Sequence, residues 1–484
     1  MSATTPLRKT FLRFLAPLML SNALQSLFGT VSNVYLGQMI GVDALAAVSV
    51  FFPVMFFLFA FVMGLSTGAT VLIGQAFGAG EHGRIRSVVG TTLAVGLLLS
   101  ISVALAGGTF SRQLMMALAT PADIIDPASA YARIMLLTMP LGFVFLLMTA
   151  MIRGVGDALT PLLALALSTA IGLILTPMLI RGAFGLPAAG ITSPAWAAAI
   201  ANALTMIALA IYLRRKKHAL APDAALLRHL RLDRTVLGKI LGIGLPSAIG
   251  MVVMAIAELV LLGLVNTYGS DATAAYGAVN QVMGYTQFTA MSISIAVSIL
   301  GAQAIGSGDR NRLDGIVRTG LTFNLVLTGG LVALIYLAPR AVLGIFITDG
   351  AVLDLAKGLL YIALWSSVPF GLATVFSGAM RAAGVALTPM LLSIFAIVAI
   401  ELPAAVILSR AIGLEGVWAA YPVVFCAMLV LQMGYYLLVW RKRAIRRLVR
   451  RNDQDIMTII KRWTYATCCA TMAKIQLRKP GQGE

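Results

Sequence analysis

The chain has 484 residues, 60% of them hydrophobic and only 11% charged, with a mean hydropathy of +0.93. That balance excludes the soluble multi-domain class that length alone would allow, and makes lipid the solvent for most of the protein. The formal charge of +18 is carried by loops and a C-terminal tail, so it does not imply a nucleic-acid partner.

Met1 to Arg13 is polar and basic and leads into an apolar segment running to about Gly37, too long for a cleaved signal peptide and therefore read as a first span. Apolar stretches of about 20 residues, enough to cross a hydrocarbon core of roughly 30 Å as a helix, recur almost to Trp440. Runs such as Phe51 to Val62 are apolar on every face, which predicts helices rather than the alternating strands of a barrel. Glycine, proline and charge clusters divide the chain into twelve spans, approximately 14–38, 47–75, 87–108, 130–152, 159–180, 191–213, 237–266, 275–302, 317–338, 358–380, 387–409 and 415–440.

With alternating connections, only Arg112, Arg133, Arg181, Arg340, Lys357 and Arg410 of the 36 Lys and Arg fall on one side. The side holding the rest is predicted to be cytoplasmic, which puts both termini there and the protein in the cell inner membrane. Residues 1–213 are expected to form an N-terminal lobe, 214–239 a basic linker, 240–440 a C-terminal lobe and 441–484 a basic tail. The Arg214-Arg-Lys-Lys217 cluster and the tail basic residues suit anionic lipid headgroups. Cys426 and the tail pair Cys468-Cys469 have neither metal-ligand spacing nor a disulfide pattern.

A single constant shift along the chain brings Met151-Ile-Arg-Gly-Val-Gly-Asp-Ala-Leu-Thr-Pro161 onto Ala379-Met-Arg-Ala-Ala-Gly-Val-Ala-Leu-Thr-Pro389, and Gly74-Gln75-Ala-Phe-Gly78-Ala-Gly80 onto Ala302-Gln303-Ala-Ile-Gly306-Ser-Gly308. Two six-span units of the same orientation follow, since each holds an even number of spans. Gln75 and Gln303, at repeat-related span ends, are expected to tie loops rather than touch a solute.

The chain resembles the multidrug and toxic compound extrusion (MATE) family over about residues 15–438. The resemblance is carried by Leu15-Ala-Pro17, Tyr35-Leu-Gly37, Asp43-Ala-Leu-Ala-Ala47, the Gly74-Gln75…Gly78-Ala-Gly80 loop and the doubled Arg-x-x-Gly…Leu-Thr-Pro motif. It implies an all-α polytopic membrane protein of twelve transmembrane helices in two six-helix lobes, V-shaped, exporting amphiphilic, often cationic compounds by cation-coupled antiport. The sequence departs from the family in the first span, where Asn33 replaces an acid, and in the fifth, where Thr176 stands in a Leu-Thr-Pro in place of Leu-Asp-Pro.

Coupling an ion to a solute needs ionisable groups inside the hydrocarbon zone, where they are costly and therefore rare. Two acids qualify, Glu258 in the seventh span and Glu401 in the eleventh, and they are the expected proton- or cation-coupling residues. A structural role, protonated or bonded to a neighbouring helix, competes for each; at Glu401 the following Leu402-Pro403 would break the helix and free backbone groups for the acid. Cavity candidates are Asn33, Thr176, Asn280, Gln281, Tyr285 and Gln287, with Tyr361 and Trp365 as an i, i+4 aromatic pair suited to flat cations or to interface anchoring. Pro17, Pro140, Pro246 and Pro369 are hinge candidates.

No phosphate-binding loop of the ATP-hydrolysing kind is present, so an ion gradient, H+ or Na+, is the expected driving force, with no other cofactor. The expected partners are small amphiphilic organic cations and membrane lipids, on a monomer that is not an enzyme. A lipid-linked oligosaccharide flippase of the same superfamily is the alternative, needing a more cationic cavity; an ion channel is a third reading, without a repeated filter sequence.

Overall fold

The computed structural model describes residues 7–183, 188–222, 230–443, 445 and 447–449, apart from the side chains of Val42, Asp43 and Leu45. Every regular element among them is helical. In chain order these are α1 (Leu7–Met39), α2 (Val42–Ala79), α3 (His82–Ala117), α4 (Ile125–Leu137), α5 (Met139–Gly154), α6 (Leu159–Arg181) and α7 (Ser193–Arg215) in the first half. The second half holds α8 (Arg234–Asn266), α9 (Ser270–Ser307), α10 (Arg310–Leu337), α11 (Gly350–Ala382), α12 (Leu387–Ile412) and α13 (Leu414–Trp440).

Eleven of these segments are individually long and apolar enough to cross a membrane, and α4 with α5, bent by 48° at Thr138, make a twelfth if counted together. Each overlaps one span expected from the sequence. In lipid a helix satisfies every backbone donor and acceptor internally, so long apolar runs have no other folded form available. The bend has an identifiable cause, because Pro140 sits in the first turn of α5 and cannot continue the hydrogen-bond ladder of α4. Pro17 and Pro246, in contrast, lie inside continuous helices, and Pro369 follows a tight turn at Leu364–Ser366 within α11.

The repeat is legible in backbone geometry. Gly41 and Gly269, Gly80 and Gly308, and Gly156 and Gly384 are pairs related by the sequence shift, and all six take positive φ between 77° and 127°. At Gly80 and Gly308 the glycine closes α2 and α9 in the left-handed conformation, its N–H returning to the last turn, a role that disfavours any side chain with a Cβ.

Residues 1–448 form one compact unit. Its halves meet where α2 crosses α8 and α9, and where α1 crosses α9. Small residues allow this: a Cβ at Gly64 would strike the Gly244 carbonyl, and one at Gly68 the Ile240 carbonyl. An apolar cluster crosses the boundary, with Phe11, Phe14 and Leu15 of α1 buried beside Ile293, Val297 and Leu300 of α9.

One end of the bundle carries the α2–α3 and α10 starts with Arg84, Arg86, Arg310 and Arg312, and is called the basic face below. There Gln75 Nε2 donates to the Ala382 carbonyl at 2.8 Å, and Gln303 Nε2 to the Gly154 carbonyl at 3.1 Å. The two bonds are images of each other under the repeat. The expectation that these glutamines tie loops is thereby sharpened: each ties one half to the other.

Arg153 and Arg381, counted above among loop cations, lie in the last turns of α5 and α11. Tail residues from 450 on, with Cys468 and Cys469, lie outside the described residues, as do 223–229 of the linker.

Candidate functional site

The two acids of the second half come together near the end opposite the basic face. Counted at about 1.5 Å per residue, Glu258 on α8, Tyr276 and Asn280 on α9, Glu401 on α12 and Tyr421 on α13 lie roughly 10–17 Å from that end of their helices. Asn280 Nδ2 donates to Glu258 Oε2 at 2.9 Å, and the Tyr276 and Tyr421 hydroxyls share a hydrogen bond of 3.1 Å. Glu258 and Glu401 are close enough to act electrostatically on each other and on both tyrosine hydroxyls. Glu401 is 6% exposed, whereas Glu258 is half-buried, so one acid is withdrawn and the other less so. The Glu401 carboxylate makes no hydrogen bond among the described residues.

Local structure explains the placement of Glu401. Residues Ala396–Glu401 form a π-helical turn that passes directly into the α-helical Leu402–Ile412. Pro403 therefore widens the helix instead of breaking it, correcting the break expected from the sequence; widened turns of this kind rotate a side chain out of the α register and recur at functional sites. The floor is aromatic and closed: Tyr276 packs on Trp418 with ring centroids 5.2 Å apart, Trp418 on Tyr421 at 5.7 Å, and all three are buried. Tyr276 and Tyr421 were not singled out in the sequence, because an aromatic in an apolar span is indistinguishable from core until its partner is known.

The other candidates divide. Gln281 Nε2 donates to Tyr285 Oη at 3.2 Å, and both side chains are exposed. Their face of α9 continues through Phe288 to Ser292, where Asn22 Nδ2 of α1 donates to Ser292 Oγ at 2.8 Å. Eleven residues make about three helical turns. Asn33 therefore lies on the same face of α1 as Asn22, level with Gln281, and is exposed. Asn33, Gln281 and Tyr285 are thus exposed at one level of the bundle, on helices of the two halves that the Asn22–Ser292 bond joins three turns away.

Gln287, two turns from Asn280 on the same α9 face, is half-buried. Thr176 is fully buried and returns its hydroxyl to the Gly172 carbonyl at 2.7 Å, so it is not exposed beside Asn33, Gln281 and Tyr285. Tyr361 and Trp365 join a separate exposed patch: the Tyr361 ring lies 5.1 Å from that of Tyr336, whose hydroxyl accepts from Trp365 N at 3.1 Å.

Comparison with known proteins agrees with this architecture. The MatE family model matches residues 17–178 and again 246–407, one copy in each half. The chain is 43% identical over 439 residues to the probable multidrug resistance protein YoeA of Bacillus subtilis (strain 168), covering 90% of this chain and 95% of that one. It is 25% identical over 445 residues to the probable multidrug resistance protein NorM of Thermotoga maritima, covering 91% and 94%. A crystal structure of a MATE protein in complex with MaD3S superposes with a TM-score of 0.82 at 21% identity over 90% of this chain and 96% of that one. A mutant of the Vibrio cholerae MATE transporter VcmN gives the same score at 18% identity over 91% and 98%.

Fold, doubled repeat and relatives together define a multi-pass membrane transporter. The chain belongs to the MatE family, that of the MATE-type multidrug efflux transporters.

Proposed function

We propose that this chain exports small amphiphilic, mostly cationic compounds in exchange for protons or sodium ions, with Glu258 and Glu401 as the coupling site. The single observation that carries this reading is the convergence of the only two mid-span acids among the described residues, from helices far apart in sequence, beside Asn280 and a tyrosine pair. Two carboxylates that interact in a low-dielectric site share charge poorly, so a proton or Na+ held between them is released when a cationic solute supplies the countercharge. Exposed Asn33 and the Gln281–Tyr285 pair offer neutral hydrogen-bonding groups for such a solute, leaving the charge interaction to the acids. Solute entry from the opposite side requires the basic face to open, which makes the two six-helix lobes the moving parts of an alternating-access cycle.

In this reading residues 1–213 and 240–440 are the lobes, the basic face is cytoplasmic with both termini, and the membrane is the cell inner membrane. Reconstituted protein tests it. Ethidium export into proteoliposomes driven by an imposed pH or Na+ gradient is expected for the wild type, and a loss of at least tenfold for Glu258→Gln. Full gradient-driven export by Glu258→Gln and by Glu401→Gln would remove the acids from coupling, and ion conductance without a solute gradient would identify a channel.

A further inference from the structure

The first half contains a half-buried cation that the acid pair does not use. Arg153 lines a cavity of about 50 Å³ together with Ser21, Asn22 and Gln25 of α1, Thr149 of α5 and Pro161 of α6. Roughly 10–15 Å³ of such space holds one water. The cavity thus takes a group of several heavy atoms.

The repeat supplies an internal control. Arg381, the counterpart of Arg153, donates to Ser294 Oγ at 2.9 Å, and Ser294 in turn donates to the Thr374 carbonyl at 2.6 Å. The Arg153 guanidinium has no hydrogen bond or ion pair among the described residues. The groups around it do not supply an acceptor charge: the Ser21 hydroxyl donates to the Pro17 carbonyl, the Thr149 hydroxyl to the Leu146 carbonyl, and Asn22 uses one amide hydrogen on Ser292. The balance is five guanidinium N–H donors and a full positive charge in a membrane-spanning bundle, facing a cavity lined by neutral groups. Charges withdrawn from water are stable when paired, and a fixed planar donor fork selects oxyanions or halides over neutral solutes.

We propose that Arg153 and this cavity form a binding site for a small anionic group, a carboxylate or a halide, in the N-terminal half. The site lies next to the seam, since Gly154, one residue on, accepts the hydrogen bond from Gln303. It is separate in position and in sign of charge from Glu258 and Glu401. A zwitterionic solute carries both charges and can place its carboxylate here, whereas free chloride needs only the cation.

The test uses purified full-length protein in detergent, with thermal unfolding followed while sodium acetate or sodium chloride replaces sodium gluconate, an anion too large for the cavity, at constant ionic strength. The wild-type midpoint is expected to rise by roughly 2 °C or more at saturating anion. Arg153→Gln is expected to lose the rise and Arg153→Lys to keep part of it. A response to acetate alone assigns the carboxylate, and a response to chloride alone the halide. If Arg153→Gln does not fold, Leu165, which also lines the cavity, offers a second variant: Leu165→Phe fills the space, leaves the arginine in place and is expected to abolish the response in its stead. No anion-dependent rise in the wild type, or an equal rise in the arginine and cavity variants, overturns the proposal.

Discussion

At the scale of single residues, pH acts first where a titratable group is anchored outside the spans. His218, after α7, accepts a hydrogen bond from Leu220 N at Nδ1 (3.2 Å) and turns Nε2 toward Asp157 Oδ2 at 3.9 Å. Burial holds its pKa below the ordinary 6.5; Asp157 opposes that shift and Lys216 reinforces it. A folded-state pKa below the unfolded value means that the neutral form is favoured by folding. The stability is therefore present above about pH 6.5 and lost as pH falls through the folded pKa. The protection factor of the Leu220 amide, its exchange rate relative to the intrinsic rate at each pH, is expected to fall on acidification from pH 7 to 5 in the wild type and to be low at both in His218→Ala; a pH-independent wild-type protection factor would refute it. The residue scale is also where the sequence was least informative. Glu258 and Glu401 stood out because acids are rare in apolar spans, and the fold brings them within electrostatic reach of each other. Tyr276, Tyr421 and Arg153 did not stand out, because their significance lies in a partner contributed by another helix or in the absence of one.

At the scale of elements, hydropathy and punctuation marked all twelve spans, since the bilayer leaves the backbone so few options. What pattern could not give is the departure from ideal helix: the π turns at Asn324–Thr328, Ala396–Glu401 and Tyr436–Trp440, all in the second half. Buried Asn324 occupies one of them, donating to the Val368 carbonyl and accepting from Thr328, an arrangement set by tertiary packing and not by local propensity. Glycine motifs were legible as repeat markers, but their purpose is visible only in the packing of α2 on α9. A Cβ at Gly78 would collide with the Gln303 carbonyl, and one at Gly306 with the Gln75 carbonyl, so the two helices cross backbone to backbone. Overpacking such a crossing costs about 1–3 kcal/mol. Gly306→Ala is accordingly expected to lower the thermal midpoint in detergent, and Gly83→Ala, where a Cβ meets nothing within 4 Å, to leave it unchanged. Equal midpoints for the two variants would show that the helices part without penalty.

At the scale of the whole molecule, duplication made the architecture symmetric while the chemistry diverged. Among the described residues the acid pair, the π turns and the hydrogen-bonded arginine belong to the second half, and the unpaired arginine to the first. The basic face keeps the symmetry, with Gln75 on Ala382 mirrored by Gln303 on Gly154, but one glutamine carries an extra load. Gln75 Oε1 also accepts from Leu448 N at 2.8 Å, and the Leu448 carbonyl accepts from Lys239 Nζ at 2.7 Å, so the chain after α13 is pinned across the seam. Opening the basic face must break both glutamine bonds, each worth about 1 kcal/mol. Removing the pair in Gln75→Ala/Gln303→Ala should then shift the closed-to-open ratio by roughly 5–30-fold toward open. Spin labels at Arg84 and Asn311, exposed on opposite halves of that face, report the change as a longer-distance population in pulsed dipolar spectroscopy. The double variant is expected to show the largest such population. Gln75→Ala should exceed Gln303→Ala, because only the former also frees the Leu448 amide. Identical distance distributions in all four proteins would mean that the glutamines decorate the seam without holding it closed.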